Sequence, residues 1–191
     1  AGGQFAPEQL TILPVLPSGE LALAELEAAL AAHDKSSGLP LVAVHHANNE
    51  TGVIQPIVAI ASIVKAHGGI LVVDAVQSIG RIPLDISDTC GDFFIVSSHK
   101  IGGPKGAGAI IGVTDLMMPV SVLRGGGQEK GRRSGTEPLP AIAGFGAAAG
   151  LVREVFGDAG AGEYYQTVGH DREQLVVAAE RCGLGVPAPV R

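Results

Sequence analysis

Apolar residues fall along this chain in short continuous runs that alternate with stretches of helical spacing. L-V-A-V-H-H (41–46), I-L-V-V-D (70–74) and D-F-F-I-V-S-S (92–98) are brief and nearly all apolar. Such runs fit strands buried on both faces of a parallel sheet. A-G-A-I-I-G-V (107–113) predicts a fourth strand, and L-T-I-L-P-V-L (10–16) a fifth. Pro14 makes that last one an edge or irregular strand, because proline has no N–H to give to a ladder. Between these runs, Leu23, Leu26 and Leu30 share one face of a helix over 23–33. Ile57, Ile60, Ile63 and Val64 share a face over 57–67, with Gly68 as its C-terminal cap. A glycine-rich loop (124–138) leads into a helix over 138–155, residues 157–162 read as a linker, and 163–181 as a last helix. Strand runs alternating with amphipathic helices predict an α/β architecture, a mostly parallel sheet with flanking helices.

That architecture has a functional consequence. Ligands of open parallel sheets bind outside the carboxyl ends of the strands. Three polar clusters stand there: Asn48, Asn49 and Glu50 after the 41–46 run, Asp74 to Gln77 after the next, and Ser97 to Lys100 after 92–98. Parallel strands point one way, so these clusters are expected to converge on one crevice.

Composition narrows the classes. Hydrophobic residues make up 46% and charged residues 17% of the 191, the profile of a folded globular chain. The 28 glycines are about twice the usual share, in short loop clusters without a collagen-like period. A net charge of −6 argues against a general nucleic-acid binder, which shows a basic face. The longest uncharged run, 138–152, has 15 residues including three glycines. It falls short of the ~20 that a membrane span needs and is expected to be a buried helix. The N-terminus shows no signal-peptide pattern. Cys90 and Cys182 form neither a C-x-x-C motif nor a disulfide framework, which suits a reducing cytoplasm.

The glycines do not spell a nucleotide site. No G-x-x-x-x-G-K-[ST] occurs, and Gly106, Gly108 and Gly112 are one residue too widely spaced for a dinucleotide fingerprint, as are Gly144, Gly146 and Gly150. The latter sit in a predicted helix, where small residues permit close packing. His45 and His46 are adjacent, so on a strand they face opposite ways and hold no metal together; each reads as a satisfied core or surface histidine.

A lysine at a strand end is costly to place unless its amine is paired, modified or in use. A salt bridge is the plain reading of Lys100. Around it, however, stand Ser97, Ser98 and His99, followed by four glycines in the seven residues 102–108. Hydroxyls, an imidazole and exposed backbone N–H groups together grip phosphate. With Asp74 at the end of the neighbouring run, this is the set that pyridoxal 5′-phosphate requires. The lysine gives a Schiff base, phosphate has donors, and an acid keeps the ring nitrogen protonated. Lys105 competes with Lys100 but sits inside the glycine loop, away from the strand end.

Four ordered segments carry a resemblance: H-A-N-N-E-T-G-V-I-Q-P-I (46–57), V-D-A-V-Q-S-I-G-R-I-P-L-D (73–85), S-S-H-K-I-G-G-P-K-G-A-G-A (97–109) and G-G-G-Q-E-K-G-R-R-S-G-T-E (125–137). The chain resembles the class V aminotransferase family of pyridoxal-phosphate enzymes, cysteine desulfurase type, from about residue 10 to 155. The resemblance implies that Lys100 binds the cofactor covalently, Asp74 pairs with the pyridinium nitrogen and Gln77 bonds the ring oxygen. It further implies that Ser97 and His99 bind phosphate and that Asn49 lies near the ring oxygen and substrate carboxylate. Thr136 would reach the phosphate of a partner subunit in a homodimer, with Lys130, Arg132 and Arg133 helping to position that contact. The implied reaction takes sulfur from L-cysteine, leaving alanine and a protein-bound persulfide for a sulfur-acceptor protein, in the service of iron–sulfur cluster assembly.

The chain departs from the family's pattern at both ends. The T-E-A-type loop that opens a helix onto the phosphate and the histidine that stacks on the ring have no counterpart in it. Beyond 155 the resemblance fades, without the small domain that brings a substrate-binding arginine and the persulfide cysteine. Cys90, just before a buried strand, reads as a packing residue, and Cys182, in E-R-C-G-L-G, lacks the serine- and glycine-rich setting of the family's nucleophile. The expected organisation is a partial cofactor-binding large domain over 1–156, then a linker and the start of a truncated C-terminal region over 157–191. Such a chain should expose apolar surface and associate in isolation. Two other readings stand beside the desulfurase: a non-catalytic remnant that folds or dimerises, and a selenocysteine lyase or other class V activity.

Overall fold

Four strands form one sheet: β1 (Leu41–His45), β2 (Ile70–Asp74), β3 (Phe93–Ser97) and β4 (Gly108–Gly112), in the order β1-β2-β3-β4. The computed structural model describes residues 9–156 apart from Ser87, Asp88, Cys90, Asp115, Leu116 and Met118. The sequence expectations for 157–162 and 163–181, and for Cys90 and Cys182, lie outside the described residues. β1, β2 and β3 are parallel, and β4 returns antiparallel to β3. The predicted mostly parallel sheet with flanking helices is therefore the observed one.

Register sorts the side chains. Val44, Val73, Phe94 and Ile111 lie side by side on one face, and His45, Asp74, Ile95 and Ile110 on the other. Helices α1 (Leu23–Ala31) and α2 (Ile57–Ala66) cover the first face. α2 buries Ile57, Ile60, Ala61 and Val64, the i, i+3, i+4, i+7 stripe of an amphipathic helix. Its end follows from Gly68, at φ +70°, a conformation that costs glycine nothing. The Gly68 and Gly69 N–H groups donate to the carbonyls of Lys65 and Val64 at 3.0 and 2.9 Å, a Schellman cap.

Two expectations are corrected. Residues 10–16 form no strand but a single bridge, Val15 to Leu21. The turn is closed by Gly19 N–H donating to the Leu16 carbonyl and Leu16 N–H to that of Glu20. With Pro14 unable to donate and no neighbouring strand to pair with, the apolar run stays irregular, and Ile12 is 86% exposed. The uncharged run at 138–152 is also not a buried helix. It lies in α3 (Leu139–Phe156), where Ala148 is buried and Leu139, Ile142 and Leu151 are exposed. No helix of the described residues is long and apolar enough to cross a membrane.

Candidate active site

The carboxyl edge of the sheet collects the predicted polar groups because the three parallel strands end nearly level. After β1, His46 N–H donates to the Asp74 carbonyl at 2.8 Å, tying the two strand ends together. The chain then folds back, with Ala47 bridging Ile54. Asn48 Oδ1 accepts from the N–H groups of Glu50 and Thr51, both at 2.9 Å. This Asx turn leaves Asn49 at the tip, where its Nδ2 donates to Glu50 Oε1 at 2.7 Å.

Asp74 ends β2 on the open face of the sheet and is exposed, although the strand behind it is buried. Its Oδ1 accepts the Val76 N–H at 2.9 Å, which fixes the carboxylate on one side. Ala75 N–H donates to the Ile95 carbonyl at 2.9 Å and holds the turn against β3. Gln77, half-buried in that turn, accepts on its backbone carbonyl from Arg81 Nη1 at 3.4 Å.

Asp74 is in register with Ile95, so Ser97, two residues on, shares its face of the sheet. Ser97 Oγ and His99 Nδ1 are hydrogen-bonded at 2.9 Å. A single 3-10 turn, Ser98–Ile101, carries His99 and Lys100. Gly102 stops it in the left-handed region at φ +86°, and Gly103 N–H donates to the Ser98 carbonyl at 3.0 Å. Lys100 is half-buried, and among the described residues no hydrogen bond or ion pair engages its ammonium. The plain salt-bridge reading of Lys100 is therefore not what the structure has. Lys105 is exposed in the following loop.

Thr136 stands apart, exposed in the loop before α3. Arg133 Nη1 donates to the carbonyls of Gly135 and Thr136 at 3.0 and 3.3 Å. Ser134 donates through both N–H and Oγ to the Leu123 carbonyl. These bonds close the loop on itself. Glu129 and Lys130 hold φ values of +49° and +58°, rare for residues with a side chain.

Polar residues near this edge are also buried, Ser98 among them, so its hydroxyl does not join Ser97 and His99 as an exposed donor. Gln55, 3% exposed, accepts from Leu21 N–H at 2.8 Å and donates to the Gly19 carbonyl at 2.9 Å. It fastens the 15–21 turn to the strand edge, and its partners lie more than thirty residues away, where no local pattern points. His46, which reads in sequence as a satisfied histidine, is buried, but its Nδ1 has no partner among the described residues, and burial lowers its pKa. Ser98, fully buried, likewise has an unpartnered hydroxyl. A cleft of about 700 Å³ at the start of α2 is lined by His46, Gln55, Ile57, Ser62, Leu84 and Asp85, among others. None of the seven predicted site residues lines it. They occupy the open strand edge and the loop before α3 instead.

An amine unengaged among the described residues, an anchored carboxylate and a hydroxyl–imidazole pair thus stand at the strand ends of an open, mostly parallel sheet, the place where ligands of this class of fold bind. The family model "Aminotransferase class-V" matches residues 4–178, and the chain belongs to that family of pyridoxal-phosphate-dependent enzymes. The match continues past residue 155, further than the motifs alone reach. The human cysteine desulfurase is 46% identical over 147 residues, 76% of this chain and 31% of that protein. The cysteine desulfurase IscS of Anaeromyxobacter is 43% identical over 146 residues, 76% of this chain and 35% of that one. Among solved structures, the NifS-like protein of Rickettsia africae superposes with a TM-score of 0.79 at 37% identity, covering 88% of this chain and 45% of that one. The chain spans about a third of the length of the curated relatives it matches.

Proposed function

We propose that this chain is the cofactor-holding part of a cysteine desulfurase: residues 1–156 form part of its large domain, and 157–191 form a linker and the start of a C-terminal region. The carrying observation is that the unengaged amine of Lys100 shares a sheet edge with Asp74 and the Ser97–His99 pair. The donor set fits pyridoxal phosphate. When bound, the cofactor supplies an aldehyde for an amine and an electron-withdrawing ring for the substrate's α-carbon.

The chain's own groups then have distinct tasks. Lys100 Nζ would hold the aldehyde end of the group, and its amine would carry a proton at that position. Asp74, with Oδ1 on the Val76 N–H, keeps Oδ2 to hold a proton at the ring nitrogen. Ser97 Oγ and the His99 imidazole bind phosphate oxygens, Gln77 bonds the ring oxygen, and Asn49 orients the substrate carboxylate. Thr136 reaches the phosphate of a second copy, so the working unit is a homodimer. The net reaction moves the sulfur of L-cysteine onto a protein thiol, and a proton replaces it on the β-carbon, giving L-alanine and a persulfide. A sulfur-acceptor protein, as in iron–sulfur cluster assembly, takes the sulfur on. The two widely spaced cysteines suit a reducing, cytoplasmic setting.

The test is borohydride reduction after addition of pyridoxal phosphate, followed by peptide mass mapping. A pyridoxyl adduct on Lys100 is expected; an unmodified Lys100 leaves the non-catalytic remnant. Alanine release from L-cysteine as against L-selenocysteine then separates desulfurase from selenocysteine lyase.

A further inference from the structure

α3 is mostly exposed, yet one of its faces is built of residues with no side chain to spare. Gly144, Ala148 and Val152 are four apart, one stripe of the helix; the first two meet Pro104 and Gly103 beside the Lys100 turn, and Val152 lies against Gly80. A methyl group on Gly144 would lie 2.5 Å from Pro104 Cγ and 2.7 Å from its Cδ. The proline ring is locked to its backbone and cannot swing aside as a flexible side chain would. A methyl on Gly103 would overlap the Ser98 hydroxyl and stand 3.3 Å from Ala148 Cβ. One on Gly80 would sit 3.0 Å from Ile101 Cγ2 and 3.1 Å from Val152 Cγ2. Both ends of the 3-10 turn are thus closely packed, Ser98 under Gly103 and Ile101 against Gly80, with Lys100 between them and α3 pressing on Gly103 and Pro104 just beyond.

Two further observations show that the fit is specific. Gly146 and Gly150, on the same helix, have nothing within 4 Å of where a methyl would go. Ser98 is fully buried with an unpartnered hydroxyl, so the pocket under Gly103 closes tightly on a polar group without bonding it. Backbone bonds hold Ser98, its N–H to the Ala107 carbonyl at 3.1 Å and its carbonyl from the Gly103 N–H at 3.0 Å, while its side chain is held among the described residues by packing alone.

We propose that α3 positions Lys100, and that Gly144 is the positioning residue that sets how deeply the lysine's turn sits against the sheet edge. This rests on the reading that Lys100 is the amine that takes the cofactor. Gly144 touches neither cofactor nor substrate; it acts through Pro104 and the turn.

The experiment compares Gly144→Ala, Gly144→Ala/Pro104→Ala and Gly146→Ala in the full chain. Three quantities are read: amide hydrogen exchange of 98–104 without cofactor, the rate of borohydride-trapped adduct at Lys100, and the pH dependence of the bound cofactor's absorption. Gly144→Ala is expected to speed the exchange and to slow trapping on the order of tenfold to a hundredfold, the scale of a small misplacement of a reacting group. Its absorption should shift in pH dependence. Removing the proline ring in the double variant should restore all three, and Gly146→Ala should match wild type. If Gly144→Ala behaves like Gly146→Ala, or if Pro104→Ala gives no rescue, the proposal is overturned. Should Gly144→Ala not fold, Ala148→Gly opens the same seam from the other side and must loosen 98–104; unchanged exchange there overturns the proposal equally. If wild type forms no adduct on Lys100, the desulfurase reading fails, while the exchange comparison still decides whether α3 seats the turn.

Discussion

Helices α2 and α3 read alike in sequence, I-V-A-I-A-S-I-V-K-A against L-P-A-I-A-G-F-G-A-A-A-G-L-V-R-E-V-F. Their surroundings differ. α2 lays four apolar residues into the sheet, with Ile60, Ala61 and Val64 wholly buried. α3 leaves Leu139 and Leu151 at 69% and 62% exposure and presses a seam of small residues onto the Lys100 turn. Apolar content alone does not tell a helix that makes the core from one that places a functional group. What separates them is residue size on the contacting face: branched side chains fill the space against a sheet, and glycine and alanine let backbone approach backbone.

Substitutions can break this contrast, beginning with the core. Phe94→Ala removes the largest fully buried side chain and should cost about 3–5 kcal/mol, read as a lower urea midpoint. Gln55→Ala should cost about 1–3 kcal/mol, since it strands the buried Leu21 N–H. His46 makes stability depend on pH. Burial lowers its folded pKa below the ordinary 6.5, so the unfolded chain binds more protons as pH falls through that value. Stability should therefore be full above about pH 6.5 and drop below it, by at most about 1.4 kcal/mol per pH unit, until the folded pKa is passed. His46→Leu should flatten that slope in denaturation curves taken across this range. The smallest effects belong to the exposed side of α3. Gly146→Ala should stabilise by up to about 1 kcal/mol through helix propensity, and Leu151→Ala should change little. A loss of several kcal/mol at Leu151 would mean that α3 is a core helix after all.

Local pattern carries most of the fold. Four of the five predicted strands and the helices at α1, α2 and α3 appear within two residues of their expected bounds, because each has a period or a continuous run of its own. Residues 10–16 depart from expectation since strand-like composition still needs a partner, and this segment has one bridge. The gathering of Asp74, Ser97 and Lys100 at one edge is legible from parallel topology alone. The exposure of Asp74, the Gln55 fastening and the Gly144 seam are not. Each depends on residues far off in sequence, which neither spacing nor composition reports.

In the proposed reading, β2 and the turn after β3 bring Asp74 and Lys100 to opposite edges of one cofactor ring. A crystal structure of the chain loaded with pyridoxal phosphate tests it most directly. Continuous density from Lys100 Nζ to the cofactor is expected, with an Asp74 oxygen about 2.7–3.0 Å from the ring nitrogen. Density on Lys105 or another lysine, with Asp74 turned away from the ring, would contradict it.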